Sequence, residues 1–288
     1  MSDQWSEWPA PAKLNLFLNI VGRRADGYHL LQTVFQILDW GDSIRIRPRS
    51  DDQIIRIGGL ADVPLEKDLA IRAANLLGEH SGSKRGADIE IQKRTPAGGG
   101  LGGGSSDAAT VLVALNKVWN LNASEDDLAA LGVKLGADVP LFVRGNSAFA
   151  EGIGEKLTPI ELPARNYVIL DPVIHASTVE LFQAPELTRN SPPTTIVEFL
   201  DGACTGNAFT PLVRARFPEV AAALEWLEPH GDARLTGSGG CVFVAVESAE
   251  EADRIAQACP PPFRAFRATG VNRSPLLDAV DKFRNSRT

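Results

Sequence analysis

The sequence predicts an α+β fold, and three observations carry that prediction. Strand-type alternation runs through "KLNLFLNI", with Leu14, Leu16, Leu18 and Ile20 on one face and Lys13, Asn15, Phe17 and Asn19 on the other. Helical periodicity marks "DLAIRAANLLGEH", the run behind a glycine-rich loop, and "SEDDLAALGVKLG". Towards the C-terminus "YVILDPV", "CVFVAV" and "FRAFRATGV" read as strands around the helix "SAEEADRIAQAC", a strand, helix and strand repeated over an antiparallel sheet.

Between these elements the chain is punctuated locally. Asp26-Gly27 signals a turn, and the residues after it read as further alternation or as a short helix. "DSIRIRP", "QIIRIGG" and "ADIEIQK" follow as strands, and Ser124 with Asp127 forms a capping box at the start of a helix. Two prolines and a change of texture in "TPIELPARN" place a domain boundary there, giving units 1–161 and 162–288.

Composition narrows the function classes. Across 288 residues, 44% are hydrophobic, which is ample for packed cores, and 29 Lys plus Arg against 36 Asp plus Glu give a net charge of -7. That balance opposes a general nucleic-acid or anionic-membrane binder, so a polyanionic substrate must be held by local groups. Cys204, Cys241 and Cys259 are odd in number and form no C-x-x-C pair, which suggests buried reduced thiols rather than disulfides or zinc. The start "MSDQWSEWPAPAK" lacks a basic segment followed by an apolar core, and no run reaches the roughly 20 apolar residues of a membrane span. A soluble cytoplasmic protein is expected.

"TPAGGGLGGGSSDAAT" is the most specialised stretch. Glycine is costly to order, so the run from Gly98 to Gly104 belongs where side chains would obstruct something approaching the backbone. Ser105, Ser106 and Asp107 are suited to capping the helix that follows, whose N–H groups and dipole make an anion site suited to phosphate. The alternative of a flexible linker fits poorly between a strand and an apolar run. No Gly-Lys-Ser/Thr follows the glycines, the region about 20 residues on opens a helix with the Ser124–Asp127 capping box where a dinucleotide fold needs a second strand and a ribose-binding acid, and no His-Arg-Asp or Asp-Phe-Gly tripeptide occurs.

Three further stretches stand out, each with a plain structural alternative. In "LGADVPLFVRG", Asp138 lies between a glycine-marked helix end and a proline, as a helix cap or a projecting catalytic carboxylate. The Gly237-Ser238-Gly239-Gly240 turn of "RLTGSGGCVF" is a tight turn or a second backbone nest over phosphate oxygens. Tyr28 and His29 in "ADGYHLL" are a half-buried pair or part of a site.

Taken together, "PAKLNLFLNI", "RADGYH", "PAGGGLGGGSSDAAT", "LGADVPLFVRG", "AFAEGIGE" and "RLTGSGGCVF" resemble the successive motifs of the GHMP small-molecule kinases, from about Pro11 to about Leu277. The resemblance implies two domains: an N-terminal ATP domain like domain 2 of ribosomal protein S5, and a C-terminal ferredoxin-like α/β sandwich. Lys13 with Asn15, Tyr28-His29 and the long glycine loop point, within that superfamily, to transfer of the ATP γ-phosphate to the 2-hydroxyl of a cytidine-diphosphate derivative of methylerythritol. By carry-over Asp138 is the candidate base and Lys13 its partner. Pro96, Ala97, Gly98, Gly99, Gly100, Leu101, Gly102, Gly103, Gly104, Ser105 and Ser106 would cradle ATP, with Gly237, Ser238 and Gly239, and Lys93 would frame the purine. Tyr28 and Phe182 would sandwich the cytosine, His29 would read its edge, and Asn15 and Thr178 would lie near the methylerythritol or diphosphate. Mg²⁺ is implied, with its ligands unassigned. The expected partner is this small molecule alone, for a monomer or weak homodimer. The rivals are another GHMP kinase, for mevalonate, homoserine or a sugar, and a nucleotide-binding protein without chemistry. Two departures from the family pattern are Lys67-Asp68-Leu69 in place of Asp-Asn-Leu, which questions an adenine contact, and Asp107 where some relatives have Asn, read as an equivalent cap.

Overall fold

The computed structural model describes residues 4–59 and 63–286. Its chain begins with a long antiparallel hairpin, β1 (Ser6–Arg23) and β2 (His29–Pro48), turned at Asp26-Gly27 as the sequence signals. The segment after that turn is strand throughout. β2 is so long because its second edge serves three partners in succession. β1 departs from simple alternation: bulges between Pro11 and Lys13, Asn15 and Phe17, and Ile20 and Gly22 reset its faces. Lys13, Asn15 and Phe17 are consequently as buried as Leu14 and Ile20.

β3 (Ile54–Gly58), α1 (Leu69–Ser81) and β4 (Ala87–Gln92) come next, with β3 and β4 parallel across the helix. Asp68 caps α1, accepting from the N–H groups of Ala70 and Ile71. After the glycine loop follow α2 (Gly103–Val118), α3 (Glu125–Leu135) with the expected Ser124–Asp127 capping box, and α4 (Val139–Arg144). β5 (Ala148–Glu151) and β6 (Lys156–Pro159) form a short hairpin on β2.

The change of texture read at the two prolines falls on the coil before β7 (Asn166–Asp171). Four short helices precede the next strands: α5 (Thr178–Gln183), α6 (Ile196–Leu200), α7 (Thr210–Arg216) and α8 (Pro218–Leu227). β8 (Arg234–Leu235), β9 (Val242–Val246), α9 (Ala249–Gln257), β10 (Arg264–Val271) and α10 (Pro275–Asn285) complete the chain. The sequence marks α10 by Ser274 and Pro275, a helix-start pair that the reading above does not use.

The architecture is α+β, with a sheet order β3-β4-β2-β10-β7-β9-β8, β1 and β5 attached to β2, and β6 to β5. One core holds Trp8, Ile44, Leu77, Leu112, Trp119 and Leu276 between the first strands and α1 to α4. A second gathers Val168, Phe209, Leu224, Val244 and Ile255, together with Leu18 and Ile20 of β1. The halves are stitched together: β10 pairs with β2, and Phe283 of α10 packs on Trp8 at 5.0 Å between ring centroids. A third cluster, with Leu14, Phe17, Leu38, Tyr167 and Phe243, joins strands of both halves, so β1 contributes to all three and carries Lys13 and Asn15 to the seam. Of the three cysteines, Cys241 alone is buried; Cys204 and Cys259 are half-buried, because they sit on coil at the edges of the cores.

Candidate active site

The glycine loop and the Gly-Ser-Gly turn, distant in sequence, pack backbone on backbone. Cys241 N–H donates to Gly99 O at 3.1 Å, and Lys13 N–H donates to Leu101 O at 3.0 Å. A Cβ on Gly100, which also takes φ +80°, would collide with the Thr236 carbonyl, and one on Gly239 would collide with the main chain of Gly98–Gly100. Much of the glycine content thus admits another stretch of this protein, and not a ligand alone as the sequence suggests. Gly104 is different: a Cβ there would find Leu69 Cδ1 at 3.6 Å and otherwise open space.

α2 begins inside the glycine run, at Gly103. Its first internal bond is Ser106 N–H to Gly102 O at 2.9 Å, so the N–H groups of Gly103, Gly104 and Ser105 have no intrahelical acceptor. They border a cleft of about 510 Å³ lined by Lys93, Pro96 to Ser105, Lys67 to Ala70 and Thr178. Ser106 is fully enclosed, and its hydroxyl has no partner.

Asp107 is not a cap. The helix starts four residues before it, so its carboxylate turns inward, where Lys93 Nζ lies 2.7 Å from Asp107 and 2.5 Å from Asp42. Asp42 also accepts from the N–H of Thr95 at 2.8 Å and its hydroxyl at 2.6 Å, bracing the strand that enters the loop. Burial, with Asp42 adding its like charge, pushes Asp107 up to about 7 against the pull of Lys93, whose own pKa is raised. Asp68 is committed as well, to the α1 cap and to Arg56 at 2.8 Å.

A second pocket, of about 280 Å³, opens beside the first. Lys13, Asn15, Asp138, Phe182, Phe209, Gly237 and Ser238 line it, and Gly100, Gly102, Ser105 and Thr178 belong to both pockets. Lys13 Nζ lies 3.5 Å from Asp138 Oδ2 and 2.5 Å from Asn15 Oδ1, over the Phe35 ring. Burial pushes the Lys13 ammonium down in pKa, and the Asp138 charge opposes that shift. Asp138 occupies the N-cap position of α4 but makes no side-chain capping bond, which leaves its carboxylate to Lys13 and the pocket. Asn15 is anchored within the protein: its Nδ2 donates to Thr33 Oγ1 at 2.9 Å, and its backbone N–H to Thr236 Oγ1 at 3.0 Å. Thr178 and Ser238 share a hydrogen bond of 3.0 Å, so Gly237 and Ser238 stand on the wall of this second pocket and Gly239 against the glycine loop.

At the far end, Phe182 stacks edge-on to Phe209 at 4.9 Å, and the His29 ring lies 5.1 Å from it. Tyr28 is 60% exposed at the hairpin turn. Arg189 Nε donates to His29 Nε2 at 3.1 Å. The His29 pKa is lowered by burial, by Arg189 and by Arg23. Asp42, Arg189 and Phe209 escape sequence reasoning because no local spacing marks them.

Profiles of the GHMP kinases match this chain over residues 68–146 for the N-terminal domain and 194–264 for the C-terminal domain. The 4-diphosphocytidyl-2-C-methyl-D-erythritol kinase of Xanthomonas campestris pv. campestris (strain B100) is 55% identical over 96% of this chain and 94% of its own. The chain belongs to this branch of the GHMP kinase family. The corresponding enzyme of Aromatoleum aromaticum is 49% identical over 94% of this chain and 95% of its own. A crystal structure of 4-(cytidine 5'-diphospho)-2C-methyl-D-erythritol kinase superposes with a TM-score of 0.81 at 35% identity, covering 92% of this chain and all (100%) of that one. Mevalonate kinase of Methanococcus jannaschii, at TM-score 0.67 and 19% identity over 94% of this chain and 99% of its own, shares the fold. The family is one of small-molecule kinases.

Proposed function

We propose that this kinase transfers the γ-phosphoryl group of ATP to the 2-hydroxyl of 4-diphosphocytidyl-2-C-methyl-D-erythritol, in the non-mevalonate route to isopentenyl diphosphate. The observation that carries the mechanism is the Lys13–Asp138 pair, held in the acceptor pocket where that pocket meets the nucleotide cleft. Asp138 orients the hydroxyl and takes its proton as the oxygen bonds to the γ-phosphorus and ADP departs. Lys13 keeps that carboxylate ionised and stabilises negative charge on the transferring group. The free N–H groups at the start of α2 hold the phosphates.

Magnesium, when bound with ATP, neutralises phosphate charge, and it takes oxygen ligands while keeping several waters. Ser105 fits it: its hydroxyl has no protein partner among the described contacts and the residue lines both pockets. The enclosed Ser106 does not. On the base side, Phe182 and Tyr28 stack on the cytosine and His29 reads its edge. The acidic net charge supports a small-molecule substrate in preference to nucleic acid or membrane, for a cytoplasmic monomer or weak dimer. Among the described residues no helix is long and apolar enough to cross a membrane.

Coupled ADP release tests the reading, with the cytidyl substrate run beside mevalonate, homoserine and galactose. Turnover with the cytidyl substrate alone is expected; turnover with another acceptor in its place overturns the substrate assignment.

A further inference from the structure

Arg189 follows α5 in coil, yet it makes four hydrogen bonds. Besides the bond to His29 Nε2, its Nη1 donates to Leu187 O at 3.0 Å, and its Nη2 donates to Phe182 O at 3.1 Å and Ala184 O at 2.6 Å. All four acceptors are uncharged, and among the described ion pairs none involves Arg189. The three carbonyls belong to the last turn of α5 and the residues after it, so the guanidinium bolts the start of β2 to the segment that carries Phe182.

Arginine only donates, so a ring nitrogen that receives its N–H must offer a lone pair. The His29 proton then resides on Nδ1, which has no protein partner among the described contacts. We infer that Arg189 is a positioning residue that fixes His29 as its Nδ1–H tautomer and thereby makes the base subsite select cytosine over uracil. An Nδ1–H donor matches N3 of cytosine, which accepts, and opposes N3 of uracil, which carries a hydrogen. The two cations facing the ring, Arg189 and Arg23, further disfavour a second ring proton. Lysine cannot replace this arrangement, because a single ammonium has no planar fork to reach an imidazole and three carbonyls together. The inference rests on the proposed cytidyl substrate for its consequence, but not for the tautomer itself.

The experiment therefore has two arms. Imidazole ¹⁵N spectra of the free protein at pH 8, assigned with His29→Asn, are expected to show the Nδ1–H form of His29, with the Nε2–H form appearing in Arg189→Lys. An unchanged tautomer in Arg189→Lys overturns the inference. Calorimetric binding of CDP and UDP is expected to give a preference for CDP on the order of 10-fold or more in the parent, falling to about 3-fold or less in Arg189→Lys, as an unmade buried hydrogen bond implies. A CDP preference that survives Arg189→Lys, or equal binding of CDP and UDP to the parent, overturns the selectivity. KM for the cytidyl substrate should rise more than kcat falls. A failure of the functional reading is seen separately, as no ADP release from the parent protein with that substrate.

Discussion

The two pockets of the proposed active site are built by different means. The wall of the proposed nucleotide side is main chain: N–H groups at the start of α2, and glycines that allow two loops to interlock. The proposed cytidyl side is built of side chains, Phe182, His29 and Phe209, brought from separate elements, with Arg189 tying His29 to the Phe182 segment. Main-chain recognition writes itself into the sequence as a run of glycines; side-chain recognition leaves no comparable trace. The difference also sets what mutation does, because damage to the first side reaches the fold and damage to the second reaches affinity.

The largest effect is expected where both sides meet. Asp138→Asn should lower kcat by about 10³-fold with ADP release as the assay, while the protein still folds cooperatively in thermal unfolding, since α4 loses no capping bond and Lys13 keeps Asn15 as a partner. Retained turnover would reduce Asp138 to a bystander. Gly100→Ala should cost about 2–4 kcal/mol in urea unfolding, combining a backbone collision with a left-handed φ. Gly104→Ala, facing open cleft in the same loop, should leave stability unchanged or slightly raised and increase KM for ATP alone. If both glycine variants unfold equally easily, the division between loop packing and ligand access is wrong.

Phe182→Ala should weaken cytidyl-substrate binding by about 1–3 kcal/mol, the usual worth of stacking on one base, with KM for ATP unaffected. Tyr28→Ala is the sharper comparison: its exposed ring contributes only if it closes over the base, so an equal loss in both variants is what a two-sided sandwich requires.

The smallest effect concerns Asp107. Its native pKa, pushed up to about 7 from 3.8, means that the folded state holds the proton more tightly than the unfolded chain. The stability this provides is complete below about pH 4 and is lost as pH rises towards 7. Asp107→Asn removes that dependence, so relative to the parent it should gain about 1–3 kcal/mol at pH 8 compared with pH 4 in denaturant titrations. A constant difference between the two pH values would show that Lys93 keeps Asp107 ionised throughout.

Much of the fold was legible because its signals are local. The alternation of β1, the capping box of α3, the turn at Asp26-Gly27 and the glycine loop each depend on a few neighbouring residues. The region of α5 to α8 was largely unread, since these helices are short and their burial depends on strands from elsewhere. Resemblance supplied Lys13 and Asp138 as a pair; spacing alone left Asp138 between cap and catalyst.

By itself, then, the sequence determined the α+β class, the glycine loop ahead of a helix and the acidic character of the protein, because backbone conformation, periodicity and charge are read directly from the residues. Only the tertiary structure decided that Asp107 is a buried partner of Lys93 and not a cap, that Gly100 and Gly239 make room for each other's loops, and that Arg189 reaches His29. Each of these turns on residues far apart in sequence, whose burial and charge are set by whichever neighbour the fold brings against them.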